Sequence, residues 1–143
     1  MRATYAALPA ALMFVCAQTA GSAQTVAPAA CDNAGLLAVQ KAHADETAVT
    51  LCGVAGDIGD PKRIPNGELH RYFTVDVGSG NKLAIDVNLD AMHAAPPLAA
   101  GANVLVHGWY YWHNEHEGVH WTHHTESGPH PGGYITIGST TYD

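Results

Sequence analysis

The chain has 143 residues, with thirteen acidic side chains against six basic ones and a formal charge of −7. That balance opposes general nucleic-acid binding, which depends on Lys and Arg displacing counterions from phosphates. The length suits one compact domain, and nothing in it has the period of a repeat array.

Residues 1–23, "MRATYAALPAALMFVCAQTAGSA", carry one early positive charge, an apolar run and small residues before Gln24. This is the layout of a secretory signal peptide. The apolar run falls short of the ~20 residues that span a bilayer, so no membrane span is expected after cleavage. "MFVC" lacks the small residue that normally precedes a lipidated cysteine, which disfavours an anchor on Cys16. Cleavage also removes Arg2, leaving five basic residues against thirteen acidic ones, a net charge near −8. The expected location is the periplasm or the exterior. In that oxidising setting the two remaining cysteines, Cys31 and Cys52, are predicted to pair, a cross-link worth about 3 kcal/mol in the loop-entropy model. Without a CxxC spacing they make a poor zinc site.

Residues 24–45 divide into a small, Pro-containing leader, "QTVAPAA", and a short helix opened by Asp32 or Asn33 as N-cap. Residues 46–126 hold five predicted strands. "AVTLCGVAGDI" is β-branched with two glycines and reads as a bent strand. "GDPKRIPNGE" is a loop, and "LHRYFTVDV" alternates with Phe73, Val75 and Val77 in phase. "GSGN" turns the chain into "KLAIDVNL", where Leu83, Ile85, Val87 and Leu89 share a phase. After the connector "DAMHAAPPLAAG" come the long strand "ANVLVHGWYYW", the loop "HNEHEG" and the returning strand "VHWTHHTE". Five strands with the longest connection between the third and fourth predict a mainly β fold: a small OB-like Greek-key barrel with a short N-terminal helix. An open sandwich is the alternative. Residues 127–143 are expected to add a short edge strand or a loosely docked tail.

Four of the ten histidines fall in residues 118–133, "GVHWTHHTESGPHPGG". A hairpin symmetric about residues 113–118 faces Trp112 with Val119, Tyr111 with His120, Trp109 with Thr122 and His107 with His124. The last pair then has Cβ atoms about 5 Å apart, close enough to share a metal. His120 and His124 cannot chelate together along one strand, because four residues span about 13 Å there. A third ligand is expected from His130 or Glu126. The predicted metal set is therefore His107, His120, His124 and His130, suited to zinc or copper. His43, His70 and His93 receive no role.

Four cations, Lys62, Arg63, Arg71 and Lys82, cluster within residues 62–82. In an OB-type barrel the second and third strands with their loops form the common ligand face. Arg63, Arg71 and Lys82, with Tyr72, Trp109 and Tyr111, are accordingly candidates for a small anionic ligand.

The run "GWYYWHNEHEGVHWTHHTESGPHPGGYI" resembles the hallmark of the bacterial domain of unknown function 3465, a family typically small and exported. Its Gly-x-Tyr-x-Trp strand, Gly-containing turn, His-Trp-Thr-His-His segment and His-x-x-Gly-Trp tail correspond to Gly108, Tyr110, Trp112, Gly118, His120, Trp121, Thr122, His123, His124, His130, Gly133 and Tyr134. Upstream, His70, Tyr72 and Phe73 resemble the family's His-x-Arg-Phe strand, and Asn88 and Asp90 its Asn-x-Asp element. Two positions depart: Thr125 stands where the family has Asp, and Val87 where it usually has His. The resemblance implies a shared use for these histidines and no established activity.

The expectation is an exported, monomeric binding module that takes a transition metal or a small anionic ligand. A metal- or histidine-dependent hydrolase of phosphodiesterase or nuclease type is the alternative, and a structural envelope protein is the third.

Overall fold

A computed structural model describes residues 29–125, 127–130 and 132–143. The predicted signal peptide lies outside these residues.

Helix α1 spans Asn33–Ala42, and the Asp32 carboxylate caps it by accepting from Gly35 N–H at 2.8 Å. Asp32 thus takes the cap role, because it frees Asn33 for another task. The Asn33 side-chain amide donates to Cys52 O and accepts from Cys52 N–H, at 2.8 and 3.0 Å, so it acts as a short strand partner. Beside it the Cys31–Cys52 disulfide closes, with Cα atoms 5.5 Å apart, as the sequence predicts. Leu36, 1% exposed, anchors the helix on the core.

Eight strands follow: β1 Thr47–Gly56, β2 Lys62–Arg63, β3 Leu69–Asp76, β4 Lys82–Asn88, β5 Asn103–His113, β6 His116–His120, β7 Tyr134–Ile137 and β8 Thr140–Tyr142. Five of them close a barrel in the order β1-β3-β4-β6-β5 and back to β1. Every pairing around the ring is antiparallel except β4 with β6. This is the predicted OB-like architecture. The bend expected in the first strand falls at Val54, which faces Asp76 of β3 on one side and Asn103 of β5 on the other. A single strand can therefore belong to both walls of the closure. The inward phase carries Leu51, Phe73, Val75, Leu83, Ile85, Val87, Val106, Tyr110 and Val119, all at most 1% exposed. Burying each such side chain stabilises the fold by about 1.5–3 kcal/mol for the larger aliphatic and aromatic ones.

The hairpin between β5 and β6 corrects the expected register. The chain reverses at Asn114 and Glu115, both with positive φ (48° and 62°), so His113 faces His116. Positive φ at both central residues is what a type I′ turn requires, and its twist matches that of paired strands. Relative to the expectation the pairing slides by two residues, and Trp109 faces His120 instead of Thr122. Side-chain phase survives a slide of two, but β6 now ends at His120. Trp121 follows with φ 53°, and the Thr122 hydroxyl donates to Asp86 O at 3.0 Å, which draws the chain off β5.

The vacated edge of β5 is taken by β7, with His107 facing Tyr134. β8 then pairs with β7 in a terminal hairpin. The chain thus leaves one edge of β5 after His120, touches β4 through Thr122, and rejoins the same edge at Tyr134. Gly133 is pressed so tightly on Trp121 O that any Cβ there would collide with it.

Candidate functional site

Side chains in the outward phase of β3, β4, β5 and β6 build the wall under residues 121–133. β3 contributes His70 and Tyr72, and β4 contributes Asp86 and Asn88. β5 contributes Trp109 and Tyr111, and β6 ends with His120. The Tyr111 ring lies directly over Gly118, where a Cβ would come within 2.5 Å of the Tyr111 hydroxyl. Two hollows adjoin here. One, about 310 Å³, is lined by Glu68, His70, Asp86, Asn88, His120, Trp121 and His123 among others. The second shares Asp86 and His120 and adds Asp45, Glu46, Tyr72 and Tyr111.

Two polar constellations face these hollows. In the first, His70 Nδ1 lies 2.7 Å from Asp86 Oδ1, and His70 Nε2 is buried without a hydrogen-bond partner among the described residues. Glu68 Oε2 stands 3.5 Å from that nitrogen, too far for a good bond. A hydrogen bond from Asn66 lowers the Glu68 carboxyl from its ordinary range, keeping it ionised. In the second, the Glu46 carboxylate points one oxygen at His120 Nε2, 3.4 Å away, and the other against His130 Nε2. Burial holds the His120 imidazole below its ordinary value, with Glu46 opposing and His130 reinforcing the shift. Neutral imidazole is the form with a lone pair to offer. Tyr72 and Tyr111 are raised, first by burial and then by the nearby Asp86 charge, so both stay phenols.

His120 and His130, two members of the predicted metal set, are brought together, with ring centres 6.1 Å apart. The other two are not. His107 lies between Thr50, whose hydroxyl is 2.8 Å from its Nδ1, and Tyr134, on which it stacks at 5.2 Å. His124 lies past the end of β6 with its side chain exposed, so the expected His107–His124 pair does not form. Glu126 lies outside the described residues. Among the described residues, no group of three or more His, Cys, Asp or Glu side chains stands ready-arranged as a metal shell.

The basic candidates do not converge either. Arg63 donates to Gly67 O at 2.7 Å and pairs with Asp90, while Arg71 Nε donates to Gly59 O at 2.9 Å. Lys82 lines a separate groove with Val54, Thr74 and Asp76. The three aromatic candidates do belong to the wall. Tyr72 is exposed at the rim, Tyr111 leans on His120, and Trp109 is met edge-on by His130 at 4.7 Å.

The sequence patterns do not single out Glu46, Glu68 or Asp86, and His70 and His123 enter only through the family resemblance. A signal for His70 and Asp86 existed. The "GSGN" turn fixes a register in which Tyr72 faces Asp86 and His70 faces Asn88, all in the outward phase. No comparable pattern marks Glu46, which reaches the site only because the barrel closes β1 onto β5.

A family model described as "Protein of unknown function (DUF3465)" matches residues 21–143. No curated protein matches the chain. No helix among the described residues is long and apolar enough to cross a membrane.

Proposed function

The chain belongs to the DUF3465 family, and on that footing we propose that it is a small exported module that binds a cation on its outer wall. The observation carrying this reading is the charge of the lining. Asp45, Glu46, Glu68 and Asp86 face the adjoining hollows, and among the described residues neither Lys nor Arg lines them. A carboxylate about 4 Å from a unit charge is worth about 4 kcal/mol at an effective dielectric of 20, favourable for a cation and unfavourable for an anion. The exposed faces of Tyr72 and Trp121 favour the same sign of charge. Imidazole and carboxylate together suit zinc and copper. The Cys31–Cys52 bridge fits the oxidising compartment to which export would deliver the chain.

Thermal unfolding of protein without a histidine tag tests this, with added zinc, copper, choline and, as the opposite charge, phosphate. A cation at a hundred times its Kd should stabilise the fold by about 2.7 kcal/mol. Stabilisation by phosphate alone, or by none of the four, overturns the reading.

A second reading, a histidine-dependent hydrolase, is favoured by the His70–Asp86 pair. Asp86 occupies Nδ1, which leaves Nε2 to accept a proton from water. With Arg63 and Arg71 engaged elsewhere, a neutral ester suits this wall better than a phosphodiester. Turnover of a chromogenic ester that survives His70→Ala would count against it.

A further inference from the structure

We infer that Glu46, His120 and His130 form the seat of a divalent transition ion. The inference rests on the cation reading above and gives that cation a position and a chemical class.

Glu46 lies in the turn before β1 with φ 52°, a conformation that side-chain-bearing residues adopt uncommonly. The turn directs its carboxylate at two imidazoles that come from different parts of the chain, His120 at the end of β6 and His130 in the segment leading to β7. His120 Nε2 is buried and has no hydrogen-bond partner among the described residues, with Glu46 Oε1 standing 3.4 Å away. Two ring nitrogens and a carboxylate oxygen are a chemically ordinary donor set for zinc or copper.

The spacing lies near that of a bound state. With a metal–nitrogen bond of about 2.0–2.1 Å, each imidazole centre stands about 3.2 Å from the ion, and a tetrahedral angle puts two centres about 5.2 Å apart. The His120 and His130 centres are 6.1 Å apart. The three donors therefore do not stand as a closed shell, in keeping with the lack of any ready-made group among the described residues. Side-chain movement of about 1 Å closes them on an ion.

Aromatic neighbours limit how else the rings can turn. His130 is stacked on Trp121 at 4.9 Å and met edge-on by Trp109 at 4.7 Å, and Tyr111 leans on His120 at 5.3 Å. Rings held this way lose little freedom on ligation. An ion here ties the end of β6 and His130 to the turn before β1. Its remaining coordination position is left for water or a small ligand in the hollow.

The test is titration of the tag-free chain with zinc chloride and copper(II) sulfate. Calorimetry should give one ion per chain, and copper should show paramagnetic resonance with nitrogen coupling and quench tryptophan fluorescence. Glu46→Gln, which keeps the side-chain shape, and His130→Ala should each weaken binding by about tenfold or more. His124→Ala, at an exposed position, should leave it unchanged. The metal-free melting temperature of each variant reports whether it folds. Wild-type affinity in a folded Glu46→Gln/His130→Ala double variant overturns the seat. So does failure of both metals to bind the native chain. If choline still perturbs the Tyr72 and Tyr111 resonances in that case, the seat falls while the cation reading stands. If choline is also silent, both fall.

Discussion

His107 is held between the Thr50 hydroxyl and the Tyr134 ring, and burial pulls its imidazole below the ordinary value. The unfolded chain, with an ordinary histidine near 6.5, then takes up a proton at a pH where the folded chain does not. The stabilisation is fully present above that pH and is lost as the pH falls towards the depressed value. His120 is shifted in the same direction by its own burial and adds to the effect. The urea midpoint is therefore expected to drop between pH 7.5 and 5.5. His107→Asn should flatten that dependence in part, which midpoints measured at several pH values will show. At this scale the sequence was a partial guide. The abundance of histidine draws attention to the segment in which the structure brings His120 and His130 together. The expected facing of His107 with His124 is replaced by His107 with Tyr134, because the fold and not local pattern decides which strand occupies that edge of β5.

The β5–β6 hairpin shows what one turn controls. "HNEHEG" has Asn114 at a position that tolerates positive φ, but Glu115 follows it where Gly would be the usual signal. The sequence therefore suggested a longer loop, and the strand was expected to run on through the double histidine. Glu115 holds φ 62°, a left-handed conformation that costs a side-chain-bearing residue about 1 kcal/mol. Glu115→Gly is expected to relieve much of this, offset in part by the greater freedom of glycine in the unfolded chain. A gain of about 0.5 kcal/mol in urea unfolding, with the barrel's circular dichroism unchanged, is the expected result. A loss would mean that Glu115 makes a compensating interaction. The β3–β4 hairpin was easier to read, because "GSGN" supplies glycines and the flanking strands alternate cleanly.

For the whole molecule, five alternating segments and one long connection were enough to predict the closed barrel. Periodicity identifies which face of a strand is buried, and closure is the arrangement that buries all five. What remained hidden was the return of the C-terminal segment to β5, since pairing across so long a separation leaves no local trace. The N-terminal anchoring also acts at this scale. The Cys31–Cys52 bridge and the Asn33 amide tie α1 to β1, and Gln40 of the helix reaches Glu117, which accepts the Tyr110 hydroxyl at 2.7 Å. Reduction is expected to lower unfolding free energy by about 3 kcal/mol in the loop-entropy model. Urea curves with and without reductant measure this, and a difference below about 1 kcal/mol would show that the noncovalent ties alone hold the helix.

Because β6 and β7 occupy successive stretches of one edge of β5, the barrel holds the stretch between them at both ends. Its first turn belongs to the barrel as well, because Thr122 is buried and bonded to Asp86 O. Exposed positions past that turn, such as His124, can vary at little cost to the scaffold. The same two junctions offer an engineer a place to graft a new recognition peptide onto a small, cross-linked carrier.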